Sequence, residues 1–159
     1  MSRIRILAAA VALAAAAPLA HAVTVTSNFT VSATVAAACT FSSAPAPMTF
    51  TPNYTGATDI DATTSMTITC SNGTPYRVYV TTASTFRRMT NGASLLNYEL
   101  FSDSGRTVVF GNNFATATAT AFTGTGAAQP LTIYGRVPLG QTPTLPGGHS
   151  QTATVVVDF

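Results

Sequence analysis

The side chains able to carry chemistry are few. Outside the first 22 residues there is one histidine, His149, and there is no Trp anywhere. The carboxylates are Asp59, Asp61, Glu99, Asp103 and Asp158. A Ser–His–Asp hydrolase needs a histidine held between a serine and an acid. A lone His149 beside Gly147-Gly148, in a chain rich in Ser and Thr, reads instead as surface structure. Glycoside cleavage needs two facing carboxyl groups, which would come from Asp59, Asp61, Glu99 and Asp103. Asp59 and Asp61 sit in a polar stretch that reads as a solvated or capped turn. Cys39 and Cys70 have no C-x-x-C spacing and cannot build a zinc site. There is no Gly-rich phosphate loop. The expectation is a non-enzyme with no catalytic residue, no cofactor and no bound metal.

Charge narrows the partners. The chain is 47% hydrophobic, only 8% charged, and carries +2 at pH 7. Its basic residues are all Arg, and without Arg3 and Arg5 the balance falls to zero. A nucleic-acid binder needs a basic face to displace counterions, so no nucleic-acid partner is expected. A polybasic membrane binder is excluded likewise. Residues 1–22 read as a secretory signal peptide. Arg3 and Arg5 form its charged start, Ile6 to Ala17 its apolar run, and Ala20-His21-Ala22 its cleavage site. The alternative, a membrane anchor, is too short: twelve helical residues span ~18 Å against a ~30 Å hydrocarbon core. In an oxidising compartment, the two cysteines suggest one disulfide. A pair of buried free thiols is the alternative.

The elements that would position any site are strands. From Val23 to Val35 the odd positions are Val23, Val25, Ser27, Phe29, Val31, Ala33 and Val35. All but Ser27 are apolar, and every even position is Thr, Asn or Ser. On a strand this puts the apolar groups on one face. Thirteen extended residues reach ~43 Å, about twice an ordinary strand. Further strands are expected at Cys39–Phe41, Met48–Thr51, Ser65–Cys70, Tyr76–Thr81, Leu95–Phe101, Thr107–Phe110, Leu131–Val137 and Thr152–Phe159. Ala115 to Phe122 reads as edge strand or loop, and Pro138 to Gly148 as loop. Arg77, Arg87, Arg88, Arg106 and Arg136 read as scattered surface or ion-pair groups. Short strands between turn signals suggest a β-sandwich.

Several runs stand out: Phe29-Thr30-Val31-Ser32-Ala33-Thr34-Val35 followed by Cys39-Thr40, Cys70-Ser71-Asn72-Gly73-Thr74-Pro75-Tyr76, Arg88-Met89 and Leu96-Asn97-Tyr98-Glu99-Leu100. Leu131-Thr132-Ile133-Tyr134-Gly135-Arg136-Val137-Pro138 and Thr154-Val155-Val156-Val157-Asp158-Phe159 complete the set. Together they resemble the spore coat protein U family, which includes pilin subunits of archaic chaperone–usher pili. The resemblance runs from about residue 23 to 159. One departure is His149, where family members usually carry an aromatic.

The resemblance implies an all-β, incomplete immunoglobulin-like β-sandwich over 36–159 that lacks one strand. It implies that residues 23–35 are an N-terminal donor strand for a neighbouring copy. A periplasmic chaperone would lend a strand and an outer-membrane usher would exchange it for that of the next pilin, giving a homopolymer or mixed fibre on the cell surface. Val23, Val25, Phe29, Val31, Ala33 and Val35 would fill the neighbour. Leu131, Ile133, Ala153, Val155, Val157 and Phe159 would line the acceptor groove, and Cys39–Cys70 would staple the sandwich. The single domain suggests a shaft or minor subunit. Three alternatives remain at this point. Val23–Val35 is simply the sandwich's own first strand; the protein is a spore or cell-coat component without a pilus; or it is a soluble carbohydrate-binding sandwich.

Overall fold

The computed structural model describes residues 23–51, 58–84, 86–118, 120–141 and 146–159. The chain divides into two units, Met1–Thr34 and Val35–Phe159. In the first, residues 23–34 adopt no helix, strand or turn. Val23, Val25, Phe29 and Val31 there are each more than 80% exposed, Phe29 at 87%. No strand is assigned over residues 23–38, and the first ladder among the described residues begins at Cys39.

The second unit carries β1 (Cys39–Ser43), β2 (Ile60–Cys70), β3 (Pro75–Thr82), β4 (Arg88–Asn91) and β5 (Ser94–Asn97). It continues with β6 (Glu99–Phe101), β7 (Ala121–Thr123), β8 (Ala128–Val137) and β9 (Ala153–Asp158). One sheet has the order β1-β2-β8-β6 and a second the order β7-β3-β9, while β4 and β5 form a separate hairpin. Every ladder is antiparallel. Alternation explains why these segments are strands. Met66, Ile68 and Cys70 of β2 meet Tyr76, Val78 and Val80 of β3 and Ile133 and Val137 of β8 in one core. Residues between them point outward. The first sheet has the A-B-E-D order of an immunoglobulin sandwich, and β3-β9 take the places of C and F. No strand occupies the G position beside β9 among the described residues.

Several boundaries differ from the sequence expectation. β2 starts five residues early, at Ile60, because Ile60, Ala62 and Thr64 continue the inward face of Met66 and Ile68. Asp61 is therefore a strand residue opposite Arg136, not part of a turn. Leu95–Phe101 is two strands. Leu96, Tyr98 and Leu100 all stay buried, but the backbone changes partner at Tyr98, from β4 to β8. Arg88–Asn91 is an unexpected strand, folded onto Ser94–Asn97 through a turn with Gly92 at φ 57°. Met48–Thr51 is not a strand. Its Met48 and Phe50 lie against Gly135 of β8, where a Cβ would sit 2.7 Å from Phe50 Cζ. Among the described residues of Ala115–Phe122, only Ala121 and Phe122 are strand.

Cys39 and Cys70 are directly opposed in the β1–β2 ladder and joined as a disulfide. Reducing it is expected to cost about 3–4 kcal/mol, from the entropy of the loop it closes, read as a lower urea midpoint. Gly124→Ala is expected to cost at least as much as an overpacked core, roughly 1–3 kcal/mol. The added Cβ would overlap the Ser71 carbonyl, which is backbone and cannot swing away, and lie 2.8 Å from Cys70 Cβ. An unchanged midpoint for Gly124→Ala would contradict this packing.

Candidate strand-acceptor cleft

The two lateral sides of the sandwich are built differently. On one, residues 107–118 and Thr120 bridge the sheets. Phe110 N–H donates to the Leu100 carbonyl (2.7 Å), Val80 N–H to Gly111 (3.0 Å) and Val78 N–H to Thr120 (3.1 Å). Phe110, Ala117 and Thr120 are fully buried there. Arg87 locks the bridge: its side chain, 8% exposed, pairs with Glu99 and donates to the Phe110 carbonyl at 2.7 Å. The sequence reading of Arg87 as a surface or ion-pair group is thus half right, since it is paired but buried.

On the opposite side lie the edge strands β1 and β9. Val78 and Val80 direct their N–H groups toward the bridge, so Tyr79 and Thr81 must direct theirs toward β9. Val156 and Thr154, opposite them, complete those bonds. The N–H and C=O groups of Val155 and Val157 therefore point to β9's open edge. Their side chains face inward, opposite the fully buried Val80 and Val78, yet both are only half-buried. β1 repeats the pattern. Phe41 opposes the buried Ile68, so it shares that inward face, but it is 43% exposed. The core is uncovered along this side.

A cavity of about 460 Å³ opens there. It draws Val80 from β3, Ile133 from β8, and Ala153 and Val155 from β9, with Met48, Phe50, Met89, Tyr98 and Leu100 around them. Of the expected groove residues the structure brings together Ile133, Ala153 and Val155. Leu131 and Val157 pack on the core beside the cavity. Phe159, 56% exposed, lines a different hollow with Val35, Ala36 and Ala37. The sequence reading leaves Met48, Phe50 and Met89 out of the cleft: Met48–Thr51 alternates like a strand but joins no ladder, and Met89 stands in a hairpin strand too short to show a period. The one available signal was Pro45 and Pro47, which mark irregular backbone next to apolar residues.

The residues weighed for catalysis are held in structural roles. His149 Nε2 lies 2.9 Å from Ser94 Oγ, and Nδ1 lies 3.1 Å from the Gly147 carbonyl. Ser94 is 1% exposed, and its imidazole partner is oriented by backbone rather than by an acid. Asp61 receives two bonds from Arg136 (2.9 and 3.1 Å) and pairs with Arg106, while Asp59 pairs with Arg136. The Arg136 hydrogen bonds hold the Asp61 carboxyl below its usual range, opposed by desolvation and helped by the Arg106 charge. Asp103 is likewise lowered, chiefly by the Val108 N–H and then by Thr107.

Residues 25–156 match the Spore Coat Protein U domain family. The open-edged sandwich thus has a family: the chain belongs to the spore coat protein U domain proteins. It is 34% identical over 110 residues to Protein U of Myxococcus xanthus, covering 66% of this chain and 59% of that protein, so the chain spans little more than half of its relative. Among solved structures it resembles a chain of the CsuC–CsuE chaperone–tip adhesion subunit pre-assembly complex, from the archaic chaperone–usher Csu pili of Acinetobacter baumannii. The TM-score is 0.50 at 20% identity, over 79% of this chain and 40% of that one, a likeness of fold.

Both lowered carboxyls bind protons less readily folded than unfolded, so they contribute stability above the unfolded value near ~4. That contribution is lost as pH falls through their depressed folded values. The melting temperature is expected to hold between neutrality and about pH 4 and to drop below it. Asp61→Asn combined with Asp103→Asn should lower the plateau and flatten the drop. An acid limb unchanged in the double variant would show that other groups control it.

Proposed function

We propose that the protein is an exported, non-enzymatic structural subunit that polymerises by donor-strand complementation into surface fibres used in attachment and biofilm formation. Residues 1–22 direct export, 23–35 form the donor strand, and 36–159 form the acceptor domain. Val23, Val25, Phe29, Val31, Ala33 and Val35 of one copy enter the cleft of the next, beside Ile133, Ala153, Val155 and Val157. A periplasmic chaperone covers the cleft before assembly, and an outer-membrane usher exchanges the chaperone's strand for that of the neighbouring subunit. The likeness to a chain of a chaperone–subunit complex supports these partners.

One observation carries the reading: β9 leaves the backbone and inward side chains of Val155 and Val157 without a covering strand among the described residues. An added strand would pair that edge and bury those valines, which is β-augmentation. Residues 23–35 supply the matching period of two. A one-residue slip would bury Thr and Asn instead, so the register is specified. A second reading, a coat protein of the same fold, draws on the identity to Protein U; material deposited as an amorphous layer rather than as fibres would favour it.

Deleting residues 23–35 is expected to remove SDS-resistant polymers from the secreted protein, and polymers that persist would overturn the reading. A parity test is sharper. Val31→Asp places an unpaired carboxylate in the cleft, costing at least several kcal/mol, and should abolish the ladder. Thr30→Asp, one residue away on the outward face, should leave it intact. Equal effects of the two substitutions would contradict strand insertion.

A further inference from the structure

The donor segment has one large side chain, Phe29, among valines and an alanine, and the cleft opens onto the cavity of about 460 Å³. We infer that Phe29 of a neighbouring copy is the specificity-determining anchor and docks in the cavity beneath β9, between Met48, Phe50, Met89 and Tyr98. The inference rests on strand donation as proposed above and adds where the donor is gripped and by what chemistry.

The lining points to an aromatic occupant. A cavity of about 460 Å³ leaves room for a large side chain, and an unfilled apolar hollow forfeits dispersion contacts along its walls. Phe50 and Tyr98 already approach each other with ring centroids 6.2 Å apart and planes tilted by 44°. A third ring extends that cluster in the edge-to-face or offset geometries that aromatic pairs prefer. Met48 and Met89 supply polarisable thioethers on flexible stems, which favour ring contacts and adjust to the shape of an incoming group. The polar group at this wall is already engaged: Tyr98 O–H donates to Gln151 Oε1 at 2.8 Å. The Tyr98 ring therefore meets an apolar guest without leaving its hydroxyl unpaired.

Phe29 is also free to serve. It is 87% exposed in its own chain and shares the odd-numbered face with the other donor residues. The walls are held from behind. Gln151 also accepts from Arg88 N–H (3.0 Å), and Thr90 and Ser150 exchange backbone hydrogen bonds (3.0 and 3.1 Å), fixing the β4–β5 hairpin to the chain that enters β9. Met89, on that hairpin, is thereby positioned over the cavity.

The test uses the full chain. Phe29→Ala changes an exposed side chain and leaves its own core untouched, so any effect on polymers reports the donated contact. Polymer dissociation is expected to accelerate on the order of a hundredfold or more, the usual consequence of emptying a buried phenylalanine site. Val25→Ala should act far more weakly, and Phe29→Met should recover most of the loss. Position is read separately by pairing Phe29→Cys with Met89→Cys, then with Met48→Cys in case the first pair folds poorly. Non-reducing gels should show linked copies that collapse on reduction. If polymers form but cross-link only through Val25→Cys or Val31→Cys, the anchor is overturned while strand donation stands. If neither wild-type nor variant chains polymerise, the donation reading fails, and this inference with it.

Discussion

An antiparallel strand that is bonded on one side only leaves every second residue's N–H and C=O facing outward, and in β9 those residues are Val155 and Val157. Exposed backbone groups can be satisfied by water, but here they flank an apolar row that water satisfies poorly. Proteins usually blunt such an edge with lysine, proline, a bulge or extreme shortness. β1 has some of these defences, with five residues and a register shift between Phe41 and Ser43. β9 has none within its apolar row: Ala153, Thr154, Val155, Val156 and Val157 are uncharged, and Asp158 stands at the end. The edge is therefore kept competent for pairing, and the half-buried core behind it follows from that.

The opposite side shows what the fold does when it closes itself. There the chain spends a long irregular segment on the gap, and each turn in it has its own polar fastening. Asp103 accepts from the N–H groups of Thr107 and Val108, Thr116 and Asn113 bond one another, and Arg87 holds two successive carbonyls from beneath. Arg77 caps the same region, its guanidinium 4.4 Å from the centroid of Phe114. These bonds fix a path that contributes Phe110 to the core. No comparable fastening spans from β1 to β9 among the described residues, so the same sequence builds one sealed side and one open side.

This asymmetry decides what could be read from the residues alone. β3 and β8 were legible because burial on both sheets' inner faces imposes a strict period of two, as in Tyr76, Val78 and Val80. Ile60 to Thr64 escaped notice because the inward positions there hold Ala62 and Thr64, which look polar or neutral, and because Asp61 imitates a turn residue while bonding across the ladder to Arg136. Leu96, Tyr98 and Leu100 were correctly aligned on one face, but periodicity says nothing about which strand pairs with which, so the switch from β4 to β8 was invisible. The cleft divides in the same way. Ile133 and Val155 lie on regular strands and announce themselves. Met48 and Phe50 alternate like strand residues but sit on a strap that joins no ladder, and Met89 sits on a short hairpin, so tertiary packing places them.

Under the proposed mechanism, a donor carried on one segment and an acceptor built from others give each copy two different surfaces. Contact between them is heterologous, and unless its rotation happens to close a ring it extends without limit. Adding a copy covers one open β9 edge and introduces another, while the number of uncommitted donor segments also stays constant. Growth therefore continues under the proposed mechanism with the same local chemistry at every step. The disulfide matters most at this point. Cys39 lies just after the donor segment, and its bond to Cys70 ties the start of β1 into the sheet. Tension on a donated strand would thus reach the core of its own subunit through a covalent link rather than through the exposed, five-residue β1 ladder alone.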